Sequence, residues 1–260
     1  MANSALHVAR TGLDAQNTRM RVIANNLATV NTTGFKRDRA TFETLAYQTI
    51  TAPGSPSSAE NRYAVGLSLG TGVQMTGTAR IDTQGSLTTT GNALDLAIEG
   101  AGYFQVATPD GRTAYTRAGD LSRSPDGALV TATGLPVQPP IQIPDGAQAI
   151  AVAADGTVSA TVDGTATEVG RIEIARFANA AGLQPLGDNL LVETAASGAA
   201  QVGAPGSEGR GALRSGALEA SNVNVVEELV DMIETQRAYE VNSKMISATD
   251  EMLKYVNQQL

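Results

Sequence analysis

Two apolar repeats, one near each end of the chain, constrain this fold more than any other feature. Leu6, Leu13, Met20 and Leu27 recur every seven residues, with Ala9, Gln16, Ile23 and Val30 three places after each. Alternating steps of three and four lay one stripe along one side of a helix, the pattern of a coiled-coil-like seam. The stripe stops at Asn31-Thr32-Thr33-Gly34, where a glycine can supply the left-handed cap. A helix of that length measures roughly 40 Å. The far end mirrors this. Asn224 followed by Glu227 marks a helix start. Val225, Met232, Tyr239, Ile246, Leu253 and Leu260 then repeat every seven. A second track begins at Leu229 and turns polar at Gln236, Ser243, Asp250 and Asn257. Val241, Met245, Ala248, Met252 and Val256 add another apolar stripe over the final turns. A helix with two partly apolar sides touches more than one neighbour.

Between the repeats the pattern changes to β. Five Asp-Gly pairs, at 110–111, 126–127, 145–146, 155–156 and 163–164, punctuate short apolar runs. Asp-Gly favours tight hairpin turns in which both central residues take positive φ. Strand-like pieces lie between them: Tyr103-Phe104-Gln105-Val106, Ala128-Leu129-Val130-Thr131, Thr157-Val158-Ser159 and Arg171-Ile172-Glu173-Ile174. No long amphipathic helix interrupts them, so an antiparallel meander or barrel is expected. Pro53, Gly54, Ser55, Pro56, Ser57 and Ser58 mark a linker or extended arm. A second glycine-rich stretch, Gly203 to Gly216, leads into the last helix.

These readings predict an α+β chain in four parts. Residues 1–46 hold the N-terminal helix and the start of the arm, and 47–64 the Pro/Gly/Ser-rich arm. Residues 65–217 form a central, mainly antiparallel β domain. Residues 218–260 carry a C-terminal helix that pairs with the first in a coiled-coil-like terminal domain. Charge is consistent either with two solvated helix faces or with an attraction between the ends, within or between subunits. Residues 1–40 carry six basic groups against Asp14 and Asp38, and residues 218–260 carry eight acids against Arg237, Lys244 and Lys254.

Several functions are excluded. With no cysteine there is no disulfide, zinc finger or cysteine nucleophile. A formal net charge of -8 argues against a nucleic-acid partner. No apolar run reaches the length of a membrane span. The opening residues show no basic stretch leading into an apolar core, so no cleavable secretory signal is expected. A histidine-based triad would need His7, the sole histidine, which sits beside the heptad seam. Gly70-Thr71-Gly72 and Gly100-Ala101-Gly102 complete neither a dinucleotide-binding nor a P-loop pattern, and turn glycines explain them better. No catalytic residue, cofactor or metal is expected.

The stretch Val22-Ile23-Ala24-Asn25-Asn26-Leu27 through Asn31-Thr32-Thr33-Gly34-Phe35-Lys36 resembles the N-terminal signature of the flagellar rod and hook family. The stretch from Ser221-Asn222-Val223-Asn224 through Gln236-Arg237-Ala238-Tyr239-Glu240 to Asn242 is similar to that family's C-terminal signature. Asp95-Leu96-Ala97-Ile98-Glu99-Gly100, Tyr103-Phe104 and Tyr115-Thr116-Arg117-Ala118-Gly119 match its central region in the same order. Arg37 to Phe42, Leu67 to Val73 and Gly182 to Leu190 resemble the family's distal-rod branch. Two departures, Ala28-Thr29 and Arg62-Tyr63-Ala64-Val65, put only local packing in doubt.

The resemblance implies a subunit of a tubular axial polymer crossing the periplasm within the flagellar basal body. Terminal helices line the inside and β domains form the outer layer. It also implies torque transmission to the hook and a channel for export. The implied partners are copies of itself, proximal rod and hook subunits, bushing proteins of the peptidoglycan and outer-membrane rings, and the flagellar export apparatus. The subunit-interface residues expected from the seams are Leu6, Leu13, Met20, Ile23, Leu27, Val225, Leu229, Met232, Tyr239, Ile246 and Leu253. The family-motif residues are Asn25, Asn26, Asn31, Gly34, Phe35, Asn222, Gln236, Arg237 and Asn242. Two other readings compete: a proximal rod or hook subunit of the same family, and a β-domain binding module held in a closed oligomer by its helices. A hydrolytic enzyme ranks third.

Overall fold

A computed structural model describes residues 2–56, 58 and 61–259. Leu260 at the end of the seam and Ser57, Ala59 and Glu60 of the arm lie outside the described residues, as do the side chains of Val256 and Asn257. The chain forms two compact units. The first gathers residues 1–27, 38–79 and 225–260, and the second residues 28–37 and 80–224.

The first unit contains both long helices, α1 (Ala2–Ala28) and α2 (Val225–Gln259). α1 ends at Ala28, so Val30, the last member of the stripe, lies in the turn beyond it, and Gly34 further on has φ +66°. Asn224 stands directly before α2, whose first turn carries Glu227 and Glu228. Acids there complement the positive end of the helix dipole. The helices run antiparallel, with Arg19 meeting Asp231 and Asn26 meeting Glu228.

Among the described residues of 38–79 this unit holds strands rather than only a loose connection. Asp38–Thr44 pairs with Val73–Arg80. The described start of the arm enters an antiparallel ribbon: Gln48–Thr51 pairs with Leu67–Leu69, with a register shift between Thr49 and Thr51. Nearer its tip Pro56 bridges to Arg62, and the Tyr63 amide donates to the Ser55 carbonyl at 2.9 Å. The Thr71–Val73 segment approaches α1. His7 Nδ1 lies 3.2 Å from the Thr71 carbonyl, and the Val73 amide donates to Thr11 Oγ1. Gly72, at φ +114°, leaves no room for a Cβ beside Thr11.

The second unit is antiparallel β. Its largest sheet runs in the order Gln184–Gly187, Leu190–Val192, Thr113–Thr116, Tyr103–Ala107, Ile174–Arg176 and Gln201–Gly203, with Val137–Gln138 also paired to Tyr103–Ala107. A three-stranded sheet joins Ala149–Val152, Thr157–Val162 and Thr165–Arg171. Ribbons pair Leu96–Glu99 with Ala212–Ser215, and Leu87–Thr89 with Ala217–Glu219.

Tyr103–Ala107 is buried on both faces because its side chains alternate. Phe104 and Ile174 join a core with Leu96, Leu129, Ile141 and Val158, while Tyr103 and Ala175 join a second core with Tyr115, Phe177 and Leu191. Each buried Leu, Ile, Val or Phe among them contributes about 1.5–3 kcal/mol through burial. The Tyr115 and Phe177 rings meet edge to face at 4.8 Å.

The Asp-Gly pairs do lie in turns, but only Asp163-Gly164 has both residues at positive φ, 50° and 80°. At Gly111, Gly127, Gly146 and Gly156 the glycine alone is left-handed. The Gly111 amide donates to Thr108 and that of Gly156 to Ala153, so glycine there closes a type I turn instead of sharing a mirror-image one. The run read as Arg171 to Ile174 is two strands, one ending at Arg171 and the next starting at Ile174.

Candidate assembly surface

Small and polar side chains occupy the closest approach between α1 and α2. Ala9, Ala15 and Ile23 are buried on α1, and Glu228 and Thr235 on α2. A Cβ on Gly12 would stand 3.0 Å from Asn242 Nδ2, so the backbone of α1 comes within reach of the α2 side chains there. Thr235 returns its hydroxyl to the Asp231 carbonyl at 2.6 Å. Arg19 pairs with Asp231 at 3.1 Å with both side chains half-exposed, which makes the pair a weak contributor. At the other end of the contact Asn26 is 2 % exposed. Its amide donates to the Asp38 carbonyl at 2.9 Å, and its own carbonyl accepts from the Asp38 amide at 3.0 Å.

The heptad residues flank this contact. Ile23 is buried, and Leu6, Leu13, Met20, Leu27, Met232, Ile246 and Leu253 are half-buried. Val225, Leu229 and Tyr239 are exposed. Met20 and Tyr239 line one shallow groove with Asn17, Arg21 and Ala24. Along the rest of α2 a row of large apolar side chains faces out, including Val226 at 70 % exposure, Met252 at 63 % and Tyr255 at 66 %.

The family-motif residues divide between the two units. Asn26 and Asn242 face the opposite helix, while Asn25, Gln236 and Arg237 are exposed on it. Gly34, Phe35 and Asn222 belong to the second unit, and Asn31 there is exposed. A Cβ on Gly34 would meet the Arg117 carbonyl group at 2.5 Å. Asn222 stitches three segments: its Oδ1 accepts from the Arg37 amide at 2.7 Å, and its Nδ2 donates to the carbonyls of Ile81 and Thr83.

Beside this node lies a charge cluster absent from the expected sites. Glu219 is 1 % exposed, and its Oε1 receives the Lys36 ammonium at 2.7 Å and the Gly85 amide at 2.9 Å. Arg117 pairs through Nε with the other oxygen at 3.0 Å and donates Nη1 to the carbonyls of Gly100 and Gly102. Burial, and then the Arg117 guanidinium, hold the Lys36 amine below its ordinary value against the pull of Glu219. Arg117 also stands 5.8 Å over the Tyr103 ring, whose hydroxyl donates to Asp82. In sequence, charged residues read as solvated, and the one signal for this cluster is that Lys36 and Arg117 sit inside the stretches that resemble the family.

Three family models match. Residues 6–36 fit the model described as flagella basal body rod protein, 97–160 the flagellar hook protein FlgE/F/G D1 domain, and 214–259 the flagellar basal body rod FlgEFG protein C-terminal. The chain is 50 % identical over 256 residues to the flagellar basal-body rod protein FlgG of Buchnera aphidicola subsp. Acyrthosiphon pisum, with 98 % of each chain covered. It is 48 % identical over 259 residues to that of Agrobacterium fabrum, covering 98 % of this chain and 99 % of that one. To that of Bacillus subtilis it is 40 % identical over 259 residues, with 96 % of each covered. The chain belongs to the flagellar basal-body rod and hook family. Its place is the basal-body rod, and its role there is structural.

Proposed function

We propose that this chain builds the distal segment of the rod by stacking with copies of itself into a helical tube. In this reading the uncovered apolar residues of α2 are where neighbouring subunits' helices dock. That row carries the proposal, because large apolar groups left in water mark a surface completed by a partner. Contacts between unlike surfaces repeat head to tail and give an open helix. The tube would pass torque to the hook and enclose the export path. Proximal rod and hook subunits would abut its ends, and ring bushings would surround its β layer. Delivery would run through the flagellar export apparatus.

The Leu6, Leu13, Met20 and Leu27 series and the Val225, Met232, Tyr239, Ile246 and Leu253 series supply the helix contacts between subunits. Electron microscopy of the purified protein across a concentration series is the test. Tubes that lengthen with concentration support the reading, whereas closed particles of fixed size point to an oligomeric binding module. A deletion strain that halts after the proximal rod supports the distal position, and one that completes the rod but lacks a hook assigns the chain to the hook.

A further inference from the structure

The segment entering the second unit after α1 is seated chiefly by two residues far away in sequence. The Gly34 amide donates to the Glu219 carbonyl at 2.7 Å, and the Asn222 amide to the Phe35 carbonyl at 3.3 Å. The Lys36 ammonium reaches Glu219 Oε1, and the Arg37 amide reaches Asn222 Oδ1. Lys36 and Glu219 stand 183 positions apart. The carboxylate of Glu219 faces two buried cations, Lys36 on one oxygen and Arg117 on the other. Before Glu219 arrives, docking Lys36 would bury two positive charges side by side with no carboxylate in direct contact, Asp82 acting on them only from beyond the ion pair. Desolvation and like-charge repulsion both oppose that step.

We propose that Glu219 is a completion latch: residues 34–37 dock on the β unit only when the strand Ala217–Glu219 and Asn222 have taken their places. A chain made from its N-terminus carries Lys36 long before it carries Glu219. Its early segment, joined to an apolar helix, stays undocked until the last strand of the body is in place. The latch thus makes order in the N-terminal motif a report that the whole chain is present.

The test uses the full-length protein with Glu219→Gln, Lys36→Met and the two combined, followed by residue-resolved hydrogen exchange. Glu219→Gln keeps the shape and removes only the charge. It is expected to speed exchange at Gly34 and Arg37 by roughly 100-fold or more while sparing the amides of Tyr103–Ala107. Lys36→Met alone leaves Arg117 paired and is expected to cost less than about 10-fold at Gly34. The combined variant should recover part of the Glu219→Gln loss, because only one uncompensated cation then remains. In refolding with pulse labelling, Gly34 and Arg37 should gain protection no earlier than Ala220, whose amide donates to Ser86. Protection of Gly34 before Ala220, equal losses at Gly34 and in Tyr103–Ala107, or no recovery in the combined variant would each overturn the latch. If Glu219→Gln yields no folded protein, a folded combined variant upholds the proposal and an unfolded one overturns it.

Discussion

Asn26 donates its side-chain amide to both carboxylate oxygens of Glu228, at 3.2 Å each, with both residues buried between α1 and α2. The two stand 202 positions apart, so this bond holds opposite ends of the chain together. Asn26→Ala deprives a buried carboxylate of a donor, at a cost of about 1–3 kcal/mol. Asn26→Asp should cost more, since a second carboxylate would face Glu228 in a dry contact. Thermal unfolding followed by far-ultraviolet circular dichroism orders the variants. An Asn26→Asp protein as stable as the parent would contradict the contact.

Gly34 is constrained twice, by its φ of +66° and by the Arg117 carbonyl group against its Cα. The blocking atoms are backbone, which cannot swing aside as a side-chain tip can. Gly34→Ala should therefore cost more than the 1–2 kcal/mol or so of a left-handed alanine alone. Denaturant unfolding of the β unit reads the loss, and an unchanged midpoint would mean that the segment sits elsewhere in solution.

Leu13→Asp and Ile246→Asp address the assembly surface. Each residue is half-buried in the subunit, so a carboxylate there is tolerated while the chain is alone. Between subunits it would lose its water, which costs several kcal/mol without a partner. Both variants should keep the β unit folded and abolish tube formation and motility. Normal swimming at native expression by either would remove that position from the interface.

Removing residues 48–61 should leave polymerisation intact but yield curved or more flexible tubes. The deletion takes away the strand Gln48–Thr51 and with it the partner of Leu67–Leu69. Tyr47, Ile50, Tyr63 and Val65 are exposed beside or on this ribbon, an apolar surface that a neighbouring subunit would cover in the proposed tube. Electron microscopy gives the persistence length. Unchanged stiffness would show that the ribbon carries no contact between subunits, and total loss of assembly would make it part of docking itself.

Alkaline stability should be set by two opposed groups. Burial first and then Asp82 hold the Tyr103 phenol above its ordinary 10.0, so the unfolded chain releases this proton where the folded chain retains it. That contribution is complete below pH 10.0 and is lost as pH rises beyond it. Lys36 acts the other way. Its folded value lies below 10.5, so stability recovers between that lowered value and 10.5. Denaturant midpoints measured from about pH 8 to about pH 11 should fall less steeply in Tyr103→Phe and more steeply in Lys36→Met. Identical slopes in all three proteins would remove both groups as determinants.

The terminal helices were legible because a period of seven needs only nearby residues to express it, although α1 ends at Ala28, short of Val30 at the end of the stripe. The Asp-Gly turns were legible for the same local reason, although the conformation at four of them depends on the strands they join. The helix face that meets its partner within the subunit was only partly legible: Ala9 and Ile23 of the repeat are buried there. The apolar repeat pointed to Leu13 and Met20, yet Gly12, Ala15, Thr235 and Asn242 make the close approach, because small side chains let two backbones near each other and leave the large ones outside. Nor does composition distinguish the arm as a linker from the arm as a ribbon, since strand pairing is decided by the partner at Leu67–Leu69.

By itself, then, the sequence determined what depends on neighbours along the chain: two helices, a β body of tight turns, and the family motifs in their order. The tertiary structure alone decided which charges lose their water. Lys36, Arg117 and Glu219 look like any surface residues in the sequence, and they become a buried cluster only when three distant segments close over them and supply Thr83, Gly85, Gly100 and Gly102 as partners. Burying a charge is favourable only where counter-ion and donors converge, and that convergence is a property of the folded surroundings rather than of any one stretch of chain.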